Sequence, residues 1–476
     1  MKSKIIKAME ALKKHQALAQ QDPHRPEYHF LPPANWMNDP NGTIYYKGFY
    51  HLFYQHNPYK PRWGRIHWGH ARSKDLVHWE HLPIALAPEP GWKELHCFSG
   101  CCVVTEDGTA MIFYTSVSAK SFFTAVHRFT EQWAATGDPS LIKWEKHPQN
   151  PILSEQTHHP NNEIRNWRDP YVWKDNATWY MIIAGQEKGE DYGSVYLYRS
   201  LDLIHWETIG RLYKGQPYLG KTWECPNYFP LDGKYILVVS PLQQVIYSIG
   251  EFKDHVHLAN SWFILDHGEA FYATNTFMGE ENRLIIVGWI KVKGKKHWAG
   301  CLSLPRVLNL DKNDQLLITP IKELTALRYK HRHIERSLDL PVENAGSAPY
   351  FGECVEIKAK YDLEKVDVVG FNLIDDEDEF SIEIDFHSRL ITAIDEQAQL
   401  QFFPKTPQFN LHIFIDKSIL EIFINNRETL TTTFYPRLKE NNALKISPFY
   451  IRAKGKIQID FWTLRGSSSD VGMDGK

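Results

Sequence analysis

At 476 residues the chain is longer than one compact domain usually runs, and about two domains are expected. A formal net charge of −3 and a pI near 6.8 supply no field suited to nucleic acid or to an anionic membrane, which leaves a neutral or small partner. The cysteines (Cys97, Cys101, Cys102, Cys225, Cys301 and Cys354) show no CxxC pair and no framework spacing, so they are expected as reduced packing thiols, with no metal site and no cofactor.

In chain order, apolar or small positions at Ile5, Met9, Leu12 and Leu18 predict a short helix within an N-terminal extension, residues 1–23, that ends before Asp22-Pro23. The segment reads as an appendage. It lacks the uninterrupted apolar stretch of a secretory signal, and no later run is long enough to span a bilayer, so a cytoplasmic location is expected.

From residue 24 to 319 one phrase recurs: a polar motif followed by an apolar strand. Asn35-Trp36-Met37-Asn38-Asp39-Pro40-Asn41-Gly42 precedes Leu52-Phe53-Tyr54-Gln55, and Phe98-Ser99-Gly100 precedes Ile112-Phe113-Tyr114. Arg168-Asp169-Pro170, Glu224-Cys225-Pro226 and Phe271-Tyr272-Ala273 lead the apolar strands around Ile182, Val238 and Val287. The intervals are similar: 14 from Asp39 to Phe53, 14 from Ser99 to Phe113, 13 from Asp169 to Ile182, 14 from Glu224 to Val238 and 15 from Tyr272 to Val287. A second mark, Arg72-Ser73-Lys74-Asp75-Leu76-Val77-His78-Trp79-Glu80, returns at Arg199-Ser200-Leu201-Asp202-Leu203-Ile204-His205-Trp206-Glu207, with a weaker copy at Ser140-Leu141-Ile142-Lys143-Trp144-Glu145. Self-similarity at this spacing, built from short strands, predicts an all-β fold beginning with a five-bladed β-propeller. The innermost strand of each blade lines the central channel, so Asp39, Asp169 and Glu224 should face one another across it.

Pro320 and Ile321 to Arg328 predict a linker with a short helix, residues 320–337. Alternating strands then follow in residues 338–466, among them Phe380 to Phe386, Phe409 to Ile415, Leu420 to Ile424 and Ile457 to Phe461, which predict an antiparallel β-sandwich. The polar tail, residues 467–476, is expected to be disordered.

Trp36-Met37-Asn38-Asp39-Pro40-Asn41-Gly42, Phe98-Ser99-Gly100, Arg168-Asp169-Pro170, Trp223-Glu224-Cys225-Pro226 and Ser303-Leu304-Pro305-Arg306 resemble the motif set of glycoside hydrolase family 32, the invertases, sucrose-6-phosphate hydrolases and fructanases. That family joins a five-bladed propeller to a C-terminal sandwich. The resemblance implies Asp39 as nucleophile, Glu224 as general acid/base and Asp169 as transition-state stabiliser in a retaining β-fructofuranosidase. It implies substrate contacts from Asn38, Gln55, Trp63, Phe98, Ser99, Arg168, Tyr272 and Trp289, with a small carbohydrate such as sucrose, sucrose 6-phosphate or a short fructan as substrate. Gln55 reads equally as a strand end, Trp63 as a blade cap and Phe98 as core.

A retaining glycosidase needs one ionised and one protonated carboxyl about 5–5.5 Å apart. Amide donors around Asp39 are expected to favour its charged form, Arg168 is expected to keep Asp169 charged, and Glu224 beside Trp223 fits the protonated role. Three positions depart from the family pattern: Ala270 where Asp is usual, His267 where Tyr is common, and Cys101 in place of Ser; they bear on leaving-group recognition. An inverting arabinanase-type propeller, a non-catalytic sugar-binding propeller and a fructosyltransferase are the competing readings. Lys60, Arg62, Arg65 and the lysines from Lys291 to Lys296 are candidates for a phosphate site, and no sequence feature specifies an oligomeric state.

Overall fold

A computed structural model describes residues 1–119, 128–159, 163–292, 296–339, 349–403, 406, 408–440 and 442–466. Five antiparallel sheets are strung along the chain, each beginning with the strand that carries one polar motif. Those inner strands are Asn35–Tyr46, Glu94–Val104, Ile164–Asp175, Glu224–Leu231 and Phe271–Met278. Each touches the next, and the fifth touches the first, which closes the ring of a five-bladed propeller. Closure is reinforced where Trp298–Ala299 runs parallel to Asn35 and Trp36. Gly300 follows at φ +87°, and a Cβ there would sit 2.2 Å from the Met37 carbonyl oxygen, so the seam requires glycine.

The second sequence mark is a turn at the blade edge. Asp75 Oδ1 accepts from Val77 and His78 N–H at 3.0 and 2.8 Å, and Asp202 Oδ1 accepts from Ile204 and His205 at 2.9 and 2.8 Å. Each turn places a leucine at positive φ, Leu76 at 63° and Leu203 at 69°, and the following Trp79 and Trp206 indoles donate to the carbonyls of those leucines. In the weaker copy Asp138 supplies the carboxylate for Ile142 and Lys143 N–H, and Trp144 donates to Leu141. The repeat is thus one turn, written with an acid to cap it and a tryptophan to lock it.

The N-terminal helix, Lys2–Gln20, is more than the expected appendage. Ala8, Leu12 and Ala19 are buried in one cluster with Ala34, Ile84, Ala270, Ile290 and Trp298, so the helix covers the seam between the first and fifth blades. No helix among the described residues is long and apolar enough to cross a membrane.

Two six-stranded antiparallel sheets follow, facing each other over a core that includes Val355, Ile357, Phe371, Ile384, Ile413, Ile422 and Phe461. The expected linker is shorter than residues 320–337. Lys322–Leu327 is a 3-10 turn that buries Leu324 and Leu327, and Arg328–Leu338 is already an edge strand paired with Lys454–Leu464. Its alternate exposure resembles a polar connector when the strand is read alone, because only one face is covered. The tail, residues 467–476, lies outside the described residues.

Propeller and sandwich meet over buried charge. Arg306 donates to Asp266 Oδ2 and Glu421 Oε2, both at 2.7 Å, and to the hydroxyls of Thr429 and Thr431. His29 bridges Asp416 at 2.8 Å and Glu421 at 3.1 Å. Gly268 lies against Thr431 so closely that a Cβ would stand 1.8 Å from its carbonyl oxygen. Two of the departures from the family pattern sit in this region: His267 is paired with Glu428 of the sandwich, and Ala270 packs under the N-terminal helix. The third, Cys101, ties two blades, its sulfur accepting from Val172 N–H at 3.2 Å.

Candidate active site

Each inner strand breaks register at its motif. Met37 pairs with His56 and Pro40 with Tyr54, so Asn38 and Asp39 stand together opposite Gln55. Phe98 and Ser99 stand opposite Thr115, Asp169 and Pro170 opposite Ile183, Cys225 and Pro226 opposite Val239, and Ala273 and Thr274 opposite Gly288. These are β-bulges, which bend a strand and re-aim its side chains. Three bulges hold a residue at positive φ without being glycine: Asp169 at 65°, Cys225 at 46° and Ala273 at 48°. Such backbone costs about 1–3 kcal/mol each and persists where the surroundings enforce it.

The bulges bring three acids together through shared partners. Asp39 Oδ1 accepts from Asn38 Nδ2 at 3.0 Å, while Oδ2 accepts from Gln55 Nε2 at 3.0 Å, from the Ser99 hydroxyl and from the Cys225 thiol at 3.4 Å. Gln55 also accepts from Asn38 at 2.9 Å, so the amides lock each other. Cys225 joins the second acid, since its N–H donates to Asp169 Oδ2 at 2.9 Å. Asp169 N–H in turn donates to Thr115 Oγ1 at 2.8 Å. Glu224, the neighbour of Cys225, accepts from Arg168 on Oε1 and from the Tyr272 hydroxyl on Oε2 at 2.8 Å.

The remaining expected residues frame this set. Phe98 is buried behind Ser99, with the exposed Trp63 ring 6.1 Å away. Trp289 pairs in register with Tyr272 and meets Trp36 edge-on at 5.7 Å, and Trp36 donates to Asn38 Oδ1 at 2.8 Å. Sequence reasoning passed over Thr115, which carries no motif signal, and the bridging role of Cys225, whose only signal was its place beside Glu224.

Burial sets the electrostatics. It pushes the Asp39 carboxyl up, against the Ser99 hydrogen bond that pulls it down, with the Glu224 charge adding to the rise. The expected donors are present, yet burial outweighs them. Asp169 rises to about 7, through burial first, with Arg168 opposing and Glu224 and Asp39 reinforcing. Arg168 offsets that rise only in part, because its guanidinium is engaged on Glu224 and stands 4.0 Å from Asp169 Oδ2. The Cys225 thiol is pushed well up by burial and the acids beside it, so it stays protonated as a donor.

Two family models match the chain in succession: the glycosyl hydrolases family 32 N-terminal domain over residues 29–320 and the family 32 C-terminal domain over residues 323–463. A sucrose-6-phosphate hydrolase of Zymomonas mobilis is 34% identical over 89% of this chain and 88% of its own length. One from Bacillus subtilis is 30% identical over 96% and 98%. Among solved structures, a Bombyx mori β-fructofuranosidase in complex with sucrose superposes with a TM-score of 0.83 at 28% identity, covering 98% of this chain and 99% of that one. With both halves of the fold matched, the chain belongs to glycosyl hydrolase family 32.

Proposed function

We propose that this enzyme, a β-fructofuranosidase by its family and relatives, cleaves a terminal β-D-fructofuranosyl linkage by double displacement, with Asp39 as nucleophile and Glu224 as acid/base. One observation supports this most directly: the Asp39 carboxylate lies in a nest of four fixed donors, and the Cys225 bridge sets Glu224 and Asp169 beside it.

In the first step an Asp39 oxygen attacks the anomeric C2 while the C2–O bond to the leaving group breaks, and the proton of Glu224 passes to the departing oxygen. In the second, water attacks C2, gives its proton to Glu224, and the ester to Asp39 breaks; two inversions amount to retention. Asp169 holds two sugar hydroxyls, and in its charged form stabilises the oxocarbenium-like transition state more than the ground state.

Tyr272 suits both half-reactions. Its hydroxyl has one proton and two acceptors in reach, Glu224 Oε2 at 2.8 Å and the Ser240 carbonyl at 3.0 Å, and it accepts from Leu242 N–H at 3.1 Å. It donates to Glu224 when that carboxylate is ionised; when Glu224 carries the proton, Tyr272 accepts from it and turns to Ser240.

A small fructoside substrate fits the relatives, which include a raffinose invertase of Escherichia coli at 31% identity. A cytoplasmic location goes with a phosphorylated sugar, which does not cross membranes unaided. Proton NMR of the first product tests the reading: β-D-fructofuranose should appear first and mutarotate later. Initial release of the α anomer would establish inversion and remove Asp39 as nucleophile.

A further inference from the structure

We infer that Thr115, backed by Gln132, is a positioning residue for the reaction: from the second blade it holds the Asp169 bulge of the third blade in the left-handed conformation that keeps this carboxylate beside Cys225 and Asp39. The inference rests on Asp169 being the transition-state stabiliser of the proposed double displacement.

The bulge at Asp169 and Pro170 takes Asp169 out of register with its own blade, where Arg168 pairs with Ala184 and Tyr171 with Ile182. Its φ of 65° lies in the left-handed region, which a residue other than glycine keeps only where its surroundings enforce it. The enforcement comes from the neighbouring blade. Thr115 lies on the strand Ala110–Ala119 and Gln132 on Arg128–Gly137, and the two residues are paired across that ladder. Both are fully buried. Asp169 N–H donates to Thr115 Oγ1 at 2.8 Å, the Thr115 hydroxyl donates its own proton to Gln132 Oε1 at 2.7 Å, and Gln132 Nε2 donates to the Trp167 carbonyl at 3.3 Å. The second blade thus grips the backbone of the bulge strand at two points, Trp167 and Asp169.

The direction of each bond follows from the groups. The hydroxyl has one proton and commits it to Gln132, so a lone pair of Oγ1 faces the Asp169 N–H. Asp169 passes the constraint on. Its Oδ2 accepts from Cys225 N–H at 2.9 Å, and Cys225, itself at φ 46°, carries the thiol that donates to Asp39 Oδ2 at 3.4 Å. At both bulges the N–H of a left-handed residue is held by a side chain of the preceding blade. Without the Thr115 hydroxyl, Asp169 has a buried N–H deprived of its acceptor and nothing to hold it at positive φ. The carboxylate then moves with its backbone, and a misplacement of about 1 Å costs about 10²-fold in rate.

The test is a double-mutant cycle of Thr115→Val and Asp169→Asn, read as kcat and KM on sucrose, with Thr115→Ser as the rescue. Thr115→Val should lower kcat/KM by about 10²-fold, more through kcat than through KM, and Thr115→Ser should recover most of the loss. In the Asp169→Asn background, where no carboxylate is left to aim, Thr115→Val should lower kcat/KM by less than about threefold further. A merely structural Thr115 would give the same loss in both backgrounds, and that result overturns the proposal. So does a Thr115→Val enzyme within about threefold of wild type. If Thr115→Val does not fold, Gln132→Met takes its place in the cycle, with a loss of about tenfold expected and the same dependence on Asp169. Equal losses in the two backgrounds contradict this inference alone, whereas an Asp169→Asn enzyme with wild-type kcat/KM contradicts the role of Asp169 and the inference with it.

Discussion

Two clusters of buried acids in this molecule behave in opposite ways. At the channel mouth Asp39 is pushed up and Asp169 rises to about 7. At the interface between propeller and sandwich, burial also opposes ionisation, but the His29 hydrogen bond and charge, with the N–H groups of Glu27 and Tyr28, hold Asp416 down; Arg306 and His29 do the same for Glu421. His29 is itself raised to about 9 by those two acids, despite its burial. Burial is common to both, so it does not decide the outcome. What differs is the supply of cations: the interface sets His29 and Arg306 against its carboxylates, whereas the channel gives Asp39 four neutral donors and commits Arg168 to Glu224, which leaves Asp39 and Asp169 short of positive charge. Acids left short can exchange protons and take up a substrate, and those that are saturated hold domains together.

Replacement of Asp39 by Asn sharpens this division most. Turnover should fall by at least about 10³-fold, since the nucleophile is lost, while the melting temperature stays the same or rises, since no saturated network is broken. More than about a tenth of wild-type kcat remaining would remove Asp39 from the role.

The converse change is Arg306→Met. It leaves Asp266 and Glu421 without their guanidinium in a fully buried place, and about 3–5 kcal/mol of stability should be lost, read as a lower denaturant midpoint. At low temperature kcat per folded molecule should stay within about threefold of wild type, because the network touches no axial acid. Loss of activity without loss of stability would show that the two clusters are not separate.

A smaller effect concerns pH. The folded pKa of Asp169, about 7, lies above its ordinary value of 3.8, so the folded state binds the extra proton between them. The contribution of Asp169 to stability is full below that ordinary value and is lost as pH rises through about 7. Asp169→Asn removes that loss, and its melting temperature relative to wild type should be higher at pH 8 than at pH 5. Asp416 and Glu421 have the opposite sign: their lowered values give stability that is present above the ordinary carboxylate range and lost as pH falls through the folded values. A relative melting temperature for Asp169→Asn that does not rise between pH 5 and 8 would contradict the difference between the clusters.

These features were unevenly legible in the amino-acid order. The blades could be read because one unit recurs, each time with 13 to 15 residues from its motif to its apolar strand, and that shared phase places Asp39, Asp169 and Glu224 on inner strands. The bulges could not, since a residue inserted in one strand is defined only by its partner; Asp39 lies within its bulge, whereas Glu224 precedes its own. The interface was invisible for a related reason. His29 and Asp416 are 387 positions apart, and no local pattern marks either as a partner. Residues 328–337 read as linker because an edge strand with one covered face shows alternation only when its sheet is known. The direction of Asp39 was misjudged from its donors alone, as neighbouring amides are written in the sequence and burial is not.

The assignment of Glu224 is the point on which the mechanism turns, and a general acid matters only as far as its leaving group is poor. The direct measurement is the activity of Glu224→Ala on sucrose and on an activated aryl fructoside, each with and without azide. Hydrolysis of sucrose should collapse, the first step with the aryl fructoside should be largely kept, and azide should restore turnover by attacking the fructosyl-enzyme through the space left by the carboxylate. Equal losses on both substrates with no response to azide would contradict the assignment and send the search for the acid/base to Asp169.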